Sequence, residues 1–521
     1  MSNFELPQVW PTVLDMLAAA ARRRPDHPAI VCGDHQLSYG QYHRCVTRLA
    51  LEFAQAGIGA GDRVALLMGN SADIAVAMFA VQAAGAQVVP LNPTYTAAEL
   101  GPVLRDADVS LLVHDAGLES VFAGVLPDGT ATLCVGADAR DLTVPPHEGS
   151  SAPAAVQTDM LSTLQYTGGT TGVAKGVNLT HAAVAINIAQ REALLPTGPD
   201  ERVLAITPLF HVYAVSMGLY LAANCAGTLY IVPKFTAAGV LRDIEQHRIT
   251  FLSASPTIFQ ALLRDAGFAR ADLTSLRVCS SGSAALTTDV LHRWEEATGC
   301  PVCEGYGQTE AGPVLTYNPL HGQRFAGTVG IAAPRTEISI VDVETGEREL
   351  PAGQEGEIRA RGPQIMAGYR NRPEETGQAL RGGWLYTGDI GRITDTGQLA
   401  ICDRKKDMVV TSGFNVFPRE IEEVLYAMAQ VEDAAVVGVP DAYRGEMLCA
   451  FVVVGKGHLT EADVRACIAT QLAKYKWPRD IHFLPELPKT MAQLALIMRA
   501  VRSVGFLRRR RVSRGEFGVL E

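Results

Sequence analysis

Apolar and polar positions follow two different rhythms along this 521-residue chain. Val13 to Arg23 carries its apolar residues at helical spacing, whereas Arg63-Val-Ala-Leu-Leu67 is a short continuous apolar run of the kind that fills a buried strand. Residues 75–84 read as a helix and 86–91 as the next strand, and the same strand signal returns at 203–206, 228–232 and 250–253. Alternation of this sort predicts parallel sheets covered by helices. From about Glu337 the pattern changes to short alternating strands, as in Ile338-Ser-Ile-Val-Asp-Val343 and Gly356-Glu-Ile-Arg-Ala-Arg361. After Asp403 a compact α+β pattern begins, with helices expected at 418–428 and 461–472 and strands at 433–439 and 448–454. The expected fold class is therefore α/β. A large N-terminal domain (1–402), with a small β-rich subdomain at about 337–402, precedes a small α+β C-terminal domain (403–521). No internal repeat is visible.

Composition narrows the function without naming it. Hydrophobic residues make up 48% of the chain and charged residues 19%, enough to bury large cores. A formal charge of −10 argues against nucleic acid as a bulk electrostatic partner. Ten cysteines lack regular spacing, as in a reduced cytoplasmic enzyme. The pair Cys300-Pro-Val-Cys303 sits on an expected strand, where positions three apart face opposite ways, and no second pair follows it. The first residues lack the basic-then-apolar order of a signal peptide, and no apolar run reaches the roughly 20 residues of a membrane span. A soluble, cytoplasmic protein is expected, with at most peripheral membrane contact; the oligomeric state stays open, a homodimer included.

The chemistry is concentrated in four segments. Leu164-Gln-Tyr-Thr-Gly-Gly-Thr-Thr-Gly-Val-Ala-Lys-Gly-Val177 packs four glycines, three threonines and a lysine together. Glycines let a backbone approach a phosphate chain, amides and threonine hydroxyls donate to its oxygens, and Lys175 adds positive charge. The spacing is not that of a Walker A loop. Glu304-Gly-Tyr-Gly-Gln-Thr-Glu310 offers a hydroxyl at Thr309 for a phosphate oxygen and a carboxylate at Glu310 for Mg2+. Trp384-Leu-Tyr-Thr-Gly-Asp-Ile390 sets a carboxylate after a glycine turn, suited to ribose hydroxyls, and a basic turn at 403–407 leads into the Gly-bearing loop before Pro418.

These motifs, in this order, resemble the AMP-binding acyl- and aryl-CoA synthetase family, over residues 10 to 490. With Pro208-Leu-Phe-His-Val-Tyr213, the glycine loop looks most like that of the fatty acyl-CoA ligases. The resemblance implies ATP-dependent activation of a carboxylic acid to an acyl-adenylate, then transfer to coenzyme A with release of AMP. It implies that Thr167, Gly168, Gly169, Thr170, Thr171, Gly172 and Lys175 hold the β- and γ-phosphates, that Thr309 touches the α-phosphate and that Glu310 holds Mg2+. Gly282, Ser283 and Ala284, with Glu304, Gly305, Tyr306 and Gly307, would border the adenine. Asp389 would bind the ribose with help from Arg404. The C-terminal domain would be mobile about a hinge at Lys406, bringing Ser412 and Gly413 to the pantetheine tunnel. His211, Tyr213 and Met217, with the 281–283 turn, would line the acyl pocket. The expected partners are the acid, ATP and coenzyme A.

The pattern breaks near the end. The family's C-terminal lysine falls on Leu494, and no lysine follows Lys489. Losing one such cation costs about 3–4 kcal/mol of transition-state stabilisation, or ~100- to 1,000-fold in rate. From about residue 493 the tail is atypical, an apolar run at 494–498 followed by a dense basic block at 508–514. A reading-frame change accounts for it; so does a specialised enzyme with weak adenylation, or a tail that contacts a membrane surface or partner. At the level of function, the alternatives are a nucleotide-binding protein with little turnover and a ligase that loads a carrier-protein thiol.

Overall fold

The computed structural model describes residues 4–136, 139–146, 156–167, 174–411, 414–441, 445–455 and 457–487. It divides into two compact units, one of residues 1–387 and 391–401 and the other of 388–390 and 402–521. The first unit is built on two large sheets, as the apolar runs imply. Among the described residues, one has nine strands, ordered Ile331–Ala332, Val314–Tyr317, Val302–Gly307, Val278–Ser281, Phe251–Ala254, Arg202–Ala205, Thr228–Ile231, Pro28–Cys32 and His35–Ser38. The six inner strands from Val302–Gly307 to Pro28–Cys32 are parallel, and antiparallel strands flank both sides. The second sheet runs Gly368–Tyr369, Lys175–Thr180, Leu161–Thr167, Gln87–Leu91, Arg63–Leu67, Leu111–Asp115 and Ala131–Val135, parallel except for the hairpin at its first three strands.

Strands buried on both faces need no polar alternation, which is why Gln87–Leu91 is buried at every position. The helix Ala72–Ala83 is likewise buried almost all round; Ser71 caps it by accepting the Ile74 N–H at 3.2 Å. Tyr39–Gln55 is amphipathic and opens on a reciprocal capping box between Ser38 and Gln41. A smaller sheet contains Glu337–Val341, Gly356–Arg361, Trp384–Ile393, Leu380–Arg381 and Leu399–Arg404.

The second unit packs the helices Pro418–Tyr426 and Glu461–Gln471 on a mixed sheet of Phe414–Val416, Val409–Thr411, Gly445–Val454, Val431–Asp441 and Asp480–Leu484. Its core includes Val416, Ile421, Leu425, Val452, Val464 and Ile468. No described helix is long and apolar enough to cross a membrane.

Candidate active site

The hairpin Leu161–Thr167 to Lys175–Thr180 sets Thr167 opposite Lys175 in register. The loop residues Gly168, Gly169, Thr170, Thr171 and Gly172 lie outside the described residues, as do Ser412, Gly413 and Leu494. Lys175 does not stand alone. The two-residue strand Gly368–Tyr369 adds to the hairpin's outer edge, with Tyr369 opposite Val177. This places the Tyr369 ring under the Lys175 ammonium, 5.1 Å from nitrogen to ring centroid. On its other side the Tyr369 hydroxyl donates to Glu310 Oε1 at 2.7 Å. Burial and the neighbouring carboxylate push the Tyr369 phenol well above its ordinary pKa, so it stays protonated and keeps donating.

Glu310 lies in the short helical turn Thr309–Ala311, and its carbonyl accepts the Met366 N–H at 2.9 Å. No described residue donates to Oε2, so this carboxylate can offer a hard oxygen to a divalent cation. The turn follows Gly307, where an added Cβ would collide with the Pro313 carbonyl; only glycine fits. Beneath it, Asn187 exchanges hydrogen bonds with Val314 (Nδ2 to O at 2.8 Å, N to Oδ1 at 3.0 Å). Gln190 Nε2 donates to Gln364 Oε1 at 3.1 Å, and Gln364 Nε2 to Thr336 Oγ1 at 2.7 Å. These buried amides fix the strand leaving the turn.

The Gly282-Ser283-Ala284 turn leaves the strand Val278–Ser281, with Ser283 at φ +69°, a left-handed conformation that is strained for a non-glycine residue. Glu304 is 7% exposed, and its Oε1 accepts the Leu286 N–H at 2.9 Å. It ties this turn to the Glu304–Gly307 segment, a positioning role. His211 is exposed; its Nδ1 accepts the Tyr213 N–H at 3.3 Å, which puts the proton of the neutral ring on Nε2. Tyr213 is buried, and its hydroxyl lies 2.9 Å from Ser280 Oγ. Met217 is fully buried in the π-helical turn Val215–Tyr220.

In the second unit, Arg404 Nε stands 3.7 Å from Asp389 Oδ1. Gly388, at φ +72°, accepts the Lys405 N–H at 2.8 Å, which holds the carboxylate-bearing turn against the basic one. Lys406 lies within that basic turn at 405–407.

The structure thus gathers Thr167, Lys175, Thr309 and Glu310 on neighbouring elements of one unit, and Asp389, Arg404 and Lys406 in the other. Tyr369 was not singled out in the sequence. The signal for it, had it been used, is the Gly-Tyr dipeptide ahead of Pro373, where a glycine at φ +139° turns the chain onto the hairpin edge.

The family model for the AMP-binding enzyme matches residues 17–370, and that for the AMP-binding enzyme C-terminal domain matches 420–493, ending one residue before Leu494. The long-chain-fatty-acid–CoA ligase of Bacillus subtilis is 36% identical, with 93% of each chain covered. The feruloyl-CoA synthase of an Amycolatopsis species is 35% identical over 90% of this chain and 94% of its own. Among solved structures, ATP-bound MatB from Rhodopseudomonas palustris superposes with a TM-score of 0.87 at 32% identity, covering 94% of this chain and 99% of that one. Matches of this length make the chain a member of the AMP-binding enzyme family and an AMP-forming acyl-CoA ligase that works with ATP, Mg2+ and coenzyme A.

Proposed function

We propose that this ligase acts in the cytoplasm on a hydrophobic carboxylic acid of the fatty class. What supports this choice of acid is that Tyr213 and Met217, the residues assigned to the acyl pocket, are buried, and that no acidic residue occurs between Leu209 and Met217 to meet a substrate ammonium. The fatty-acid–CoA ligases among its relatives support the same class.

In the first half-reaction a carboxylate oxygen attacks the α-phosphorus of ATP, the bond to the bridging oxygen breaks, and pyrophosphate leaves. Lys175 and the 167–172 loop hold the β- and γ-phosphates, and Thr309 donates to the α-phosphate. Gly282, Ser283 and Ala284 border the adenine, and Asp389 accepts from the ribose hydroxyls with Arg404 beside it. Glu310 holds Mg2+, which when bound offsets phosphate charge; the carboxylate oxygen left open by Tyr369 suits it. In the second half-reaction the coenzyme A sulfur attacks the acyl carbonyl and AMP leaves, after a rotation about Lys406 that presents Ser412 and Gly413. The cations and amide dipoles act where negative charge gathers.

In the sequence motif Leu494 takes the position of the family's C-terminal lysine, the cation that would bridge carboxylate and α-phosphate, so the first half-reaction should run slowly. That residue also favours a second reading, a nucleotide-binding protein with little turnover. Acid-dependent ATP–pyrophosphate exchange, across acids from acetate to palmitate, separates the two. Exchange with fatty acids, and AMP release on adding coenzyme A, is the expected result. ATP binding with silence across the panel would sink the ligase reading in favour of the second.

A further inference from the structure

Two tyrosines meet beneath the turn that borders the acyl pocket. Tyr317 ends the strand Val314–Tyr317 and stands opposite Gly305 in antiparallel register. Its ring packs directly on that glycine: a Cβ at position 305 would collide with three ring carbons. Tyr213 does the same at Gly282, where a Cβ would lie 2.8 Å from its ring. Glycine at both positions is what lets the rings come down onto the backbone.

Hydrogen bonds then hold the rings in place. The Tyr213 hydroxyl lies 2.9 Å from Ser280 Oγ, which donates in turn to Ser253 Oγ at 3.2 Å. The Tyr317 hydroxyl points at Met217 Sδ, 3.6 Å away. Tyr317 is 1% exposed, Tyr213 7% and Met217 0%. Two of the three side chains assigned to the acyl pocket are therefore packed against a third residue, Tyr317, with almost no free surface among them. Interiors packed to this degree resist even one added methylene. A long chain entering here would have to expel an anchored ring and break its hydrogen bonds.

We propose that Tyr317, together with Tyr213, forms the closed end of the acyl pocket and sets its depth, so that the enzyme prefers a medium-chain acid such as octanoate to palmitate. The inference rests on the placement of the acyl pocket under "Proposed function". Tyr317 acts as a specificity determinant and takes no part in the bond changes.

A tyrosine ring buries about 150–250 Å², the area of roughly five to eight methylenes, each worth ~fourfold in binding. Replacing Tyr317 should lengthen the pocket accordingly. The test compares wild type, Tyr317→Ala, Tyr317→Leu and Tyr317→Phe on two measurements. One is acid-dependent ATP–pyrophosphate exchange from butyrate to palmitate. The other is equilibrium binding of acyl-sulfamoyladenosines of the same chain lengths, which needs no turnover. Wild type should favour octanoate over palmitate by at least about tenfold, and Ala or Leu should erase that preference. Phe, which keeps the ring, should keep the length limit. Thermal melts check folding, and Leu carries the test if Ala does not fold.

Wild type that takes palmitate as well as octanoate overturns the proposal. So does a Leu variant with the wild-type length profile. Silence in exchange with a sharp length cut-off in analogue binding would sink the ligase reading and leave the pocket limit standing.

Discussion

Replacing Tyr369 by Phe removes one hydroxyl and leaves the ring. The lost bond is the donation to Glu310 Oε1 at 2.7 Å, a hydrogen bond to a charged acceptor. Such bonds contribute about 1.5–3 kcal/mol when buried. Tyr369 and Glu310 are both only half-buried, so water recovers part of this. About 1–2 kcal/mol should remain, or ~5- to 30-fold in kcat/KM for MgATP. The contact between the ring and Lys175 survives in Phe and is lost in Leu, which should cost a further ~2- to 5-fold. The assay is acid-dependent ATP–pyrophosphate exchange with octanoate and varied Mg2+, run as a double-mutant cycle with Glu310→Gln. If the hydroxyl works by orienting the carboxylate, Tyr369→Phe should cost less than about twofold once Glu310 is gone. Losses that simply multiply in the double variant would refute the linkage, and equal losses for Phe and Leu would refute the role given to the ring.

The remaining predictions concern the second unit and the tail. Burial, with Asp403 adding to it and the Val436 N–H opposing it at 2.8 Å, raises the Glu422 carboxyl to about 7. A raised acid contributes stability that is complete below its unfolded pKa of about 4.5 and is lost as pH climbs through 7, about 3 kcal/mol in all. Hydrogen exchange of the strand Val431–Asp441, corrected for intrinsic pH dependence, should speed up between pH 5 and 8 in wild type and much less in Glu422→Gln; parallel profiles would refute the assignment. Asp389→Ala should weaken ATP binding ~10- to 100-fold by calorimetry if its carboxylate accepts from both ribose hydroxyls as proposed; an unchanged affinity would move the ribose elsewhere. Leu494→Lys should raise the exchange rate by up to ~1,000-fold. No gain would mean that the tail has lost its geometry along with its charge.

What could be read from the sequence was whatever depends on one segment at a time. The run Arg63–Leu67 appears in the structure as the strand expected, and Val13–Arg23 as the helix, because burial on two faces or on one stripe writes itself into local pattern. The helix expected at 75–84 starts at Ala72, since the Ser71 cap and not the first large apolar residue sets its beginning. The π-helical turn Val215–Tyr220 went unread, because one extra residue in a turn leaves no trace in a 3.6-residue period. Tyr369 and Tyr317 were missed for a different reason. Each matters through a partner far away in the chain: Lys175 and Glu310 for one, Gly305 and Met217 for the other. A two-residue strand has no periodicity, and a tyrosine closing an apolar strand reads only as core.

Charge balance joins these residues to Leu494. In the first half-reaction a carboxylate must approach a triphosphate, so anion meets anion, and each missing cation is felt in full. In the second, the acyl carbonyl of a mixed anhydride meets a thiol, and the acid's own charge has already been cancelled by bond formation. A chain with leucine at position 494 should therefore be slow in one half-reaction and ordinary in the other. Under the proposed roles, the first still draws on Lys175, held over Tyr369, and on Glu310, held by the same ring's hydroxyl. Without a lysine at position 494, the proposed roles predict that the enzyme depends on that pair more heavily than it would with one. The loss caused by Tyr369→Phe should accordingly shrink in a Leu494→Lys background, in exchange measured on the same acid. A loss of the same size in both backgrounds would show that the two ends of the triphosphate are stabilised independently.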